Sequence, residues 1–156
     1  MYDWGLYNKI GHDSAGIWRT LSLNEWQFVF ERRIDASNLH FLAIVNNEEG
    51  CVILPDNWNN FDNIYLTDSL YSMNIYRDED WKQMENNGAV FLRCTNIYGK
   101  DTIGRYWSTT TGHIYKFEDS TYWSRPLIYV FGNKGFQTHL GFIDDICNVR
   151  LVKDLK

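Results

Sequence analysis

In Gly104-Arg105-Tyr106-Trp107-Ser108-Thr109-Thr110, two adjacent aromatic residues are followed by three hydroxyl-bearing residues. Tyr and Trp favour β-strands, whereas Ser and Thr offer local hydrogen bonds to the backbone. The stretch therefore predicts a strand that enters a turn, with large side chains supplying buried area. The chain before it carries ordinary helix and strand signals. The chain after it, as far as Asn148-Val149-Arg150-Leu151-Val152, is rich in aromatic and polar residues and shows no catalytic spacing.

Length and composition set the broad class of the protein. A chain of 156 residues fits one domain, predicted to span residues 1–156. The aromatic share of 17% favours a core of large flat side chains and suits a binding surface equally well. A net charge of -5 without any cluster of Lys and Arg predicts no nucleic-acid partner. No membrane insertion is expected, since no run approaches the roughly 20 apolar residues that span a bilayer.

The beginning of the chain and its cysteines give further expectations. Met1-Tyr2-Asp3-Trp4 starts directly in domain-like sequence, which predicts no export signal. The three cysteines, Cys51, Cys94 and Cys147, are too few and too scattered for a disulfide framework or a zinc site. Three buried thiols, or one bridge with one free thiol, both fit this count.

No metal or cofactor is predicted. The Asp- and Asn-rich run Asp56–Asn63 suggests a calcium loop, but Trp58 stands where a third-position ligand is required. Asx turns around a buried Trp58 are the favoured interpretation. His12 and Asp13 are interpreted as solvated loop residues, because no second histidine follows them at a metal-ligand spacing.

Two helices are predicted after a loop-rich segment over Tyr2–Ile17. Ser22 and Glu25 match a capping box, and an apolar face follows, so the first helix is expected over Leu23–Arg33. The second helix starts near Asp78, and Gly88 stops it. The inner faces carry Trp26, Val29 and Phe30 in the first helix, and Trp81 and Met84 in the second.

Helices followed by strands predict an α+β fold rather than an alternating one. Asn46–Gly50 is expected to form a turn, and Tyr65–Tyr76 to be irregular. Leu127–Phe131 is nearly continuous in apolar residues, which is typical of a central strand. Leu39–Val45 is expected to form a short strand or a buried connection. The expected strands are Cys51–Leu54, Ala89–Leu92, Arg105–Ser108, Leu127–Phe131 and Asn148–Val152.

An ordered series of short motifs resembles the Fibrobacter succinogenes major paralogous domain, abundant in gut Bacteroidetes. The resemblance implies a C-type-lectin-like fold, shared with formylglycine-generating enzymes and with the variable proteins of diversity-generating retroelements. In that fold two helices flank a small, mainly antiparallel sheet, and a long irregular segment presents the ligand-binding surface. The motifs are Trp18-Arg19-Thr20-Leu21 with Glu25-Trp26, Val52-Ile53-Leu54-Pro55-Asp56-Asn57-Trp58, Trp81 with Gln83-Met84-Glu85, Gly88-Ala89-Val90-Phe91-Leu92, Tyr106-Trp107-Ser108-Thr109 and Val149-Arg150-Leu151-Val152.

The chain departs from the family pattern at three places. Members usually carry a strand-forming segment upstream of Asp3-Trp4-Gly5, so either the domain lacks that strand or Tyr2–Tyr7 serves as the edge strand. Arg93, followed by Cys94, replaces the usual Pro after Phe91-Leu92. Ile146-Cys147-Asn148 replaces the Gly-X-Ser that normally precedes Val149.

The leading functional expectation is a non-catalytic module that binds a protein or glycan ligand. The resemblance implies that the variable, ligand-binding part lies between Trp107 and Asn148, and Tyr, Trp and Arg are common energetic anchors of interfaces. Some of these aromatic residues will fill the core instead, so the hypothesis requires several to be exposed together on one face. The candidate ligand-binding residues are Tyr115, Tyr122, Trp123, Arg125, Phe136, Gln137, His139, Phe142, Asp144 and Asp145.

Three other functions fit the sequence less well. Calcium-dependent sugar binding is not expected, because the chain has no Glu-Pro-Asn or Gln-Pro-Asp triplet and no later Trp-Asn-Asp. A formylglycine-generating-type oxidase would need paired reactive thiols, and Cys94 and Cys147 have only Arg93 and Arg150 beside them to lower the thiol pKa. No Ser/His/Asp arrangement occurs either, so an enzyme is not predicted.

A structural module of a larger surface or phage-tail protein is the third alternative. The resemblance implies a cell-surface, secreted or phage-particle location.

Overall fold

The structure is a computed structural model that describes residues 3–58, 73–94, 103–116, 121–132, 135–142 and 145–154. The backbone alone is described for residues 114–116 and 121–123. The architecture is α+β, as predicted. In chain order the elements are α1 (Trp4–Tyr7), β1 (Trp18–Thr20), α2 (Leu23–Gln27) with a π-helical turn (Phe28–Arg32), a 3-10 turn (Ala36–Asn38), β2 (His40–Val45), β3 (Glu48–Ile53), β4 (Asn74–Tyr76), α3 (Asp78–Asn86), β5 (Val90–Arg93), β6 (Ile103–Lys116), β7 (Thr121–Gly132), β8 (Gly135–Leu140) and β9 (Leu151–Lys153).

The chain forms two compact units. The terminal unit combines Met1–Phe28 with Arg105–Lys156, and the central unit is Val29–Gly104. No described helix has the length and apolarity needed to cross a membrane. The expectation of a single domain over residues 1–156 stays a prediction.

The central unit is built on a four-stranded sheet in the order β4-β2-β3-β5. The β2–β3 and β3–β5 pairs are antiparallel and the β2–β4 pair is parallel. The predicted helix α3 buries Trp81 and Met84, and it ends before Gly88, whose φ of 92° only glycine adopts without strain. The buried core consists of Ala43, Val45, Val52, Leu54, Tyr76, Trp81, Met84 and Ala89.

Three predictions in the central unit need correction or completion. The turn after β2 is not Asn46–Gly50: it is the pair Asn46-Asn47, with φ values of 50° and 67°, and β3 already begins at Glu48. Two consecutive left-handed residues make a tight hairpin turn, and Asn tolerates that conformation. Trp58 is half-buried against the core rather than buried. Residues 59–63 of the run Asp56–Asn63, and residues 65–72 of the predicted irregular segment, lie outside the described residues, while Asn74–Tyr76 is a strand.

The first predicted helix is confirmed at its start and differs at its end. The Ser22 hydroxyl accepts from the Glu25 N–H, and the Glu25 carboxylate accepts from the Ser22 N–H at 2.8 Å, which is the expected capping box. The Arg19 guanidinium lowers the pKa of Glu25 to about 2. The helix widens into a π-turn at Phe28 and ends at Arg32, not Arg33. Arg33 instead donates to the carbonyls of Leu54 and Leu39, at 2.8 and 3.0 Å.

His40 begins β2 in a half-buried position beside the Phe30 ring, with ring centroids 5.2 Å apart. Burial, together with the positive charge of Arg33, lowers the pKa of His40 to about 4. Its ordinary value is about 6.5, so the unfolded chain binds a proton more readily than the folded one between these two pH values. Protonation therefore opposes folding of this unit.

We expect the free energy of unfolding to fall by about 2 kcal/mol as the pH drops from 6.5 to 4, less than for a fully buried histidine because solvent screens the partly exposed His40. Urea denaturation at a series of pH values measures this slope. His40→Gln should remove most of it, because glutamine does not titrate. His12→Gln, at an exposed histidine, should retain it. An unchanged slope in His40→Gln would assign the acid sensitivity to other groups.

The terminal unit joins the two ends of the chain through an antiparallel β1–β9 pair. Trp18-Arg19-Thr20 is thus a strand, and Tyr2–Tyr7 is not an edge strand, because Trp4–Tyr7 is helical. Asp3 holds α1 onto β1 by accepting from the N–H groups of Gly5 and Thr20, at 3.1 and 2.9 Å. The expected strand Asn148–Val152 is shorter: β9 starts at Leu151, and Asn148 makes a single bridge to Tyr106.

The loop residues His12 and Asp13 behave differently from each other. His12 is exposed, as predicted. Asp13 is half-buried and accepts from the Trp18 indole at 2.8 Å and from Lys153 at 3.1 Å, so it is not simply solvated. Hydrogen bonds from Lys153 and Trp18 lower the pKa of this carboxyl. Asp13 therefore links the loop to β1 and β9.

The stretch around Tyr106-Trp107 forms part of the 14-residue strand β6 and does not enter a turn. Its hydroxyl groups form hydrogen bonds to neighbouring elements. Ser108 donates to the Leu127 carbonyl of β7 at 2.8 Å, and the Thr110 hydroxyl accepts from the Leu23 N–H of α2 at 2.9 Å. The sheet order β6-β7-β8 places β7 in the centre, as its apolar run predicted. Tyr106 is buried at 4% exposure and Trp107 is half-buried.

Candidate functional site

The segment from Trp107 to Asn148 contains most of the C-terminal sheet, which we define as β6, β7 and β8. The resemblance implied a long irregular segment here, whereas most of the described residues in this range are strands. Polar and apolar residues alternate along this segment, and alternate side chains of a strand point to opposite faces of the sheet. This alternation explains why the segment forms strands. A ligand would therefore meet strand residues and the ends of strands.

The β7–β8 register determines which candidate side chains share a face. Leu127 pairs with Leu140, Tyr129 with Thr138, and Val130 with Gln137, in antiparallel order. Directly paired residues lie on the same face of a sheet. Phe136, Thr138 and Leu140 therefore share a face with Tyr129, while Gln137 and His139 lie on the other face.

Arg125, Phe142 and Asp145 are brought together at one end of this sheet. The Arg125 guanidinium carbon lies 4.3 Å from the centroid of the Phe142 ring, a cation-π arrangement. The Phe142 N–H donates to the Asp145 carboxylate at 2.7 Å, and the Asp145 N–H donates to the Phe142 carbonyl at 3.1 Å. Phe142 is 54% exposed although it is a large apolar side chain. Arg125 thus places a cation on the exposed Phe142 ring, and the Asp145 carboxylate fixes the Phe142 backbone.

Gln137 and His139 form a second exposed pair on the opposite face of β8. The His139 ring Nε2 and the Gln137 amide oxygen are 3.1 Å apart. Phe136 behaves as a packing residue, since it stacks on buried Tyr129 with centroids 6.1 Å apart and planes 18° apart. The predicted set is thus divided between two faces of β8 rather than gathered on one.

Six of the ten predicted site residues have described side chains, and none of those six is buried. Gln137, His139 and Phe142 are exposed, and Arg125, Phe136 and Asp145 are half-buried. The predictions for the side chains of Tyr115, Tyr122 and Trp123 and for Asp144 fall outside the described residues.

Exposed residues near this site were missed by the sequence interpretation. Thr138 is exposed, Leu140 is 37% exposed, and Ile146 is 68% exposed. Thr138 and Leu140 alternate with Gln137 and His139, so a strand pattern over Gly135–Leu140 was available as a signal. Ile146 carried no such signal, because it lies outside the strands.

The three cysteines are free thiols. Cys51 and Cys94 are buried and Cys147 is half-buried, close to the expectation of three buried thiols. Burial raises the pKa of Cys51, raises that of Cys94 to about 12, and raises that of Cys147 to about 11. Nucleophilic cysteines need the opposite shift, because the thiolate is the reactive form.

Within the part of the chain that the structure describes, no group of three or more His, Cys, Asp and Glu side chains could hold a metal ion. Comparison of the chain with protein-family models, with curated proteins and with solved structures found no match. The resemblance to the Fibrobacter succinogenes major paralogous domain therefore stays a prediction that rests on the motifs.

Proposed function

We propose that the protein is a non-catalytic recognition module whose ligand contacts the C-terminal sheet near Arg125 and Phe142. The observation that carries this proposal is the exposed Phe142 ring with a guanidinium 4.3 Å above it. Aromatic and Arg side chains supply most of the binding energy in many interfaces. The Asp145 carboxylate accepts from the Phe142 N–H and so fixes the backbone that carries the ring, which lowers the backbone entropy lost when a ligand covers it.

A non-catalytic role is also supported by the thiols, whose pKa values are raised rather than lowered. The proposal keeps the C-type-lectin-like fold and the related family as hypotheses, with a protein or glycan as ligand and a cell-surface, secreted or phage-particle location. A structural module of a larger assembly is the second candidate. Ile75 on the outer strand β4 is 64% exposed, and an assembly that covered this strand would bury it.

Binding of the purified chain to a glycan array and a panel of host and bacterial proteins, with and without EDTA, tests the proposal. A ligand should bind in the presence of EDTA. Phe142→Ala should weaken binding by about tenfold or more, as expected when an exposed anchor is truncated. Phe28→Ala is the matched control, because Phe28 is 53% exposed and Phe142 54%, and it should leave binding unchanged. Equal effects of the two variants, or a folded chain that binds nothing, would contradict the proposal and favour the structural module.

A further inference from the structure

Strand β8 has an open backbone edge in the described part of the chain, where β7 is its one neighbour. The Gly141 N–H donates to the Pro126 carbonyl at 2.8 Å. In an antiparallel ladder, hydrogen-bonded pairs alternate with pairs whose N–H and C=O groups point outward. Gly141 thus forms a hydrogen-bonded pair with Pro126, and His139 forms the next such pair on β8. Thr138 and Leu140 lie in the alternate pairs, so their backbone groups point away from β7.

The other side of the ladder agrees with this assignment. Leu127, which pairs with Leu140, must direct its own backbone groups away from β8. Its carbonyl does so, since it accepts from the Ser108 hydroxyl of β6 at 2.8 Å. No described residue donates to or accepts from the backbone of Thr138 or Leu140 on the outer side.

The Arg125–Phe142 pair lies where an added strand would run past the end of β8. Pro126 is bonded to Gly141, so continuing the same register puts Arg125 opposite Phe142. The guanidinium reaches across from β7 to the line of β8, because it stacks on Phe142 at 4.3 Å. Neighbouring strands lie about 4.8 Å apart, so the next strand would be within reach of this side chain.

Among the described residues, Arg125 has no acidic partner. In the described ranges it has no ion pair and no hydrogen bond, and its Nη1 atom is buried without an acceptor. The nearby Asp145 carboxylate is bonded instead to the Phe142 N–H. A carboxylate from a ligand would supply a negative charge and acceptor atoms to the accessible part of the half-buried Arg125 side chain.

A second copy of β8 would not meet this requirement. Its sequence, Gly135-Phe136-Gln137-Thr138-His139-Leu140, contains no acidic residue. An extended segment that carries Asp or Glu would both pair with the outer edge of β8 and complement Arg125. Main-chain bonds to an exposed strand edge are a common way to bind extended peptides.

We propose that the ligand is an extended peptide that adds a strand to β8 along Thr138 and Leu140 and places a carboxylate on Arg125. This inference rests on the proposed recognition function and specifies its ligand. The main-chain bonds hold the peptide, and the ion pair sets its register. Phe142 covers the apolar part of the acidic side chain.

A displayed library of random ten-residue linear peptides, selected on the purified chain, is the probe. Selected peptides should be rich in β-branched residues and should share one Asp or Glu. The affinity of a synthetic peptide should fall about tenfold in Arg125→Gln, and replacing its acidic residue by the amide should cause no further loss in that variant. NMR should show slowed amide exchange at Thr138 and Leu140 in the complex.

Thr138→Pro tests the backbone edge separately. Proline is tolerated on an edge strand when its N–H would face solvent, so the fold should persist while an outward donor is lost. Peptide binding should fall at least tenfold in this variant. The matched Thr138→Val variant keeps the N–H and should stay within about threefold of the parent.

Several outcomes would overturn the inference. Glycan binding that depends on Phe142, with no selected peptide, would retain the recognition function and reject the peptide. Selected peptides that bind Thr138→Pro as well as the parent, or that leave amide exchange at Thr138 and Leu140 unchanged, would place the ligand elsewhere. Self-association of the chain that Thr138→Pro abolishes in sedimentation would assign the edge to a second copy.

Discussion

Replacing Trp26 by alanine is expected to lower the free energy of unfolding by about 3–5 kcal/mol, the range for truncating a large buried aromatic side chain. Trp26 is 1% exposed and stacks on Tyr129, with ring centroids 5.9 Å apart and planes 4° apart. It also contacts the Tyr106 ring at a centroid distance of 5.4 Å. Its indole N–H donates to the Trp107 carbonyl at 3.3 Å, so truncation removes a donor as well as buried area.

Chemical denaturation of the parent and of three variants measures this effect. Trp26→Phe keeps a ring and loses the N–H, so it should fall between the parent and Trp26→Ala. Trp4→Ala is the control, because Trp4 is 59% exposed, and it should change stability by about 0.5 kcal/mol or less. If Trp26→Ala lowers the free energy of unfolding by less than about 1 kcal/mol, the stacking of Trp26 on Tyr129 does not hold α2 against β7.

Gly50→Ala is expected to cost about 3 kcal/mol, although it adds one methyl group. Gly50 lies within β3, opposite Ala43 on β2 and Arg93 on β5. A Cβ atom there would lie 2.4 Å from the Leu92 carbonyl oxygen and 2.4 Å from atoms of the Phe91 ring. The carbonyl belongs to the backbone of β5, so relief requires the two strands to move apart.

The same denaturation experiment with Glu48→Ala provides the control on the same strand. Glu48 pairs with Arg93 at 3.2 Å, but the two side chains are 46% and 64% exposed. Loss of an exposed pair costs less than about 1 kcal/mol. If Gly50→Ala lowers the free energy of unfolding no more than Glu48→Ala does, β3 and β5 do not approach each other closely at Gly50.

Elements with strong local signals were predicted well from the sequence. The capping box at Ser22 and Glu25 forms as expected, because its hydrogen bonds join residues three positions apart. Helix α3 begins at Asp78, as expected, and its acidic first turn favours that start. The central position of Leu127–Phe131 follows from an apolar run that only a covered strand can accommodate.

Elements whose conformation depends on distant residues were predicted poorly. Gly50 ends the predicted turn Asn46–Gly50, but it belongs to β3, where β5 approaches it from about forty positions away. The hydroxyls after Trp107 indicated the end of a strand, yet they bond to Leu127 and Leu23 instead. A local sequence pattern could not predict these bonds, because Leu127 and Leu23 lie far along the chain from the hydroxyls.

The candidate site shows the same division. The sequence by itself determined the α+β class, the two main helices, the central strand β7 and the chemical character of the C-terminal segment. Only the tertiary structure paired Arg125 with Phe142 and separated Gln137 and His139 onto the other face of β8. The physical reason is strand register: a shift of one residue exchanges the two faces of a strand, and the register is set by contacts between residues far apart in the chain.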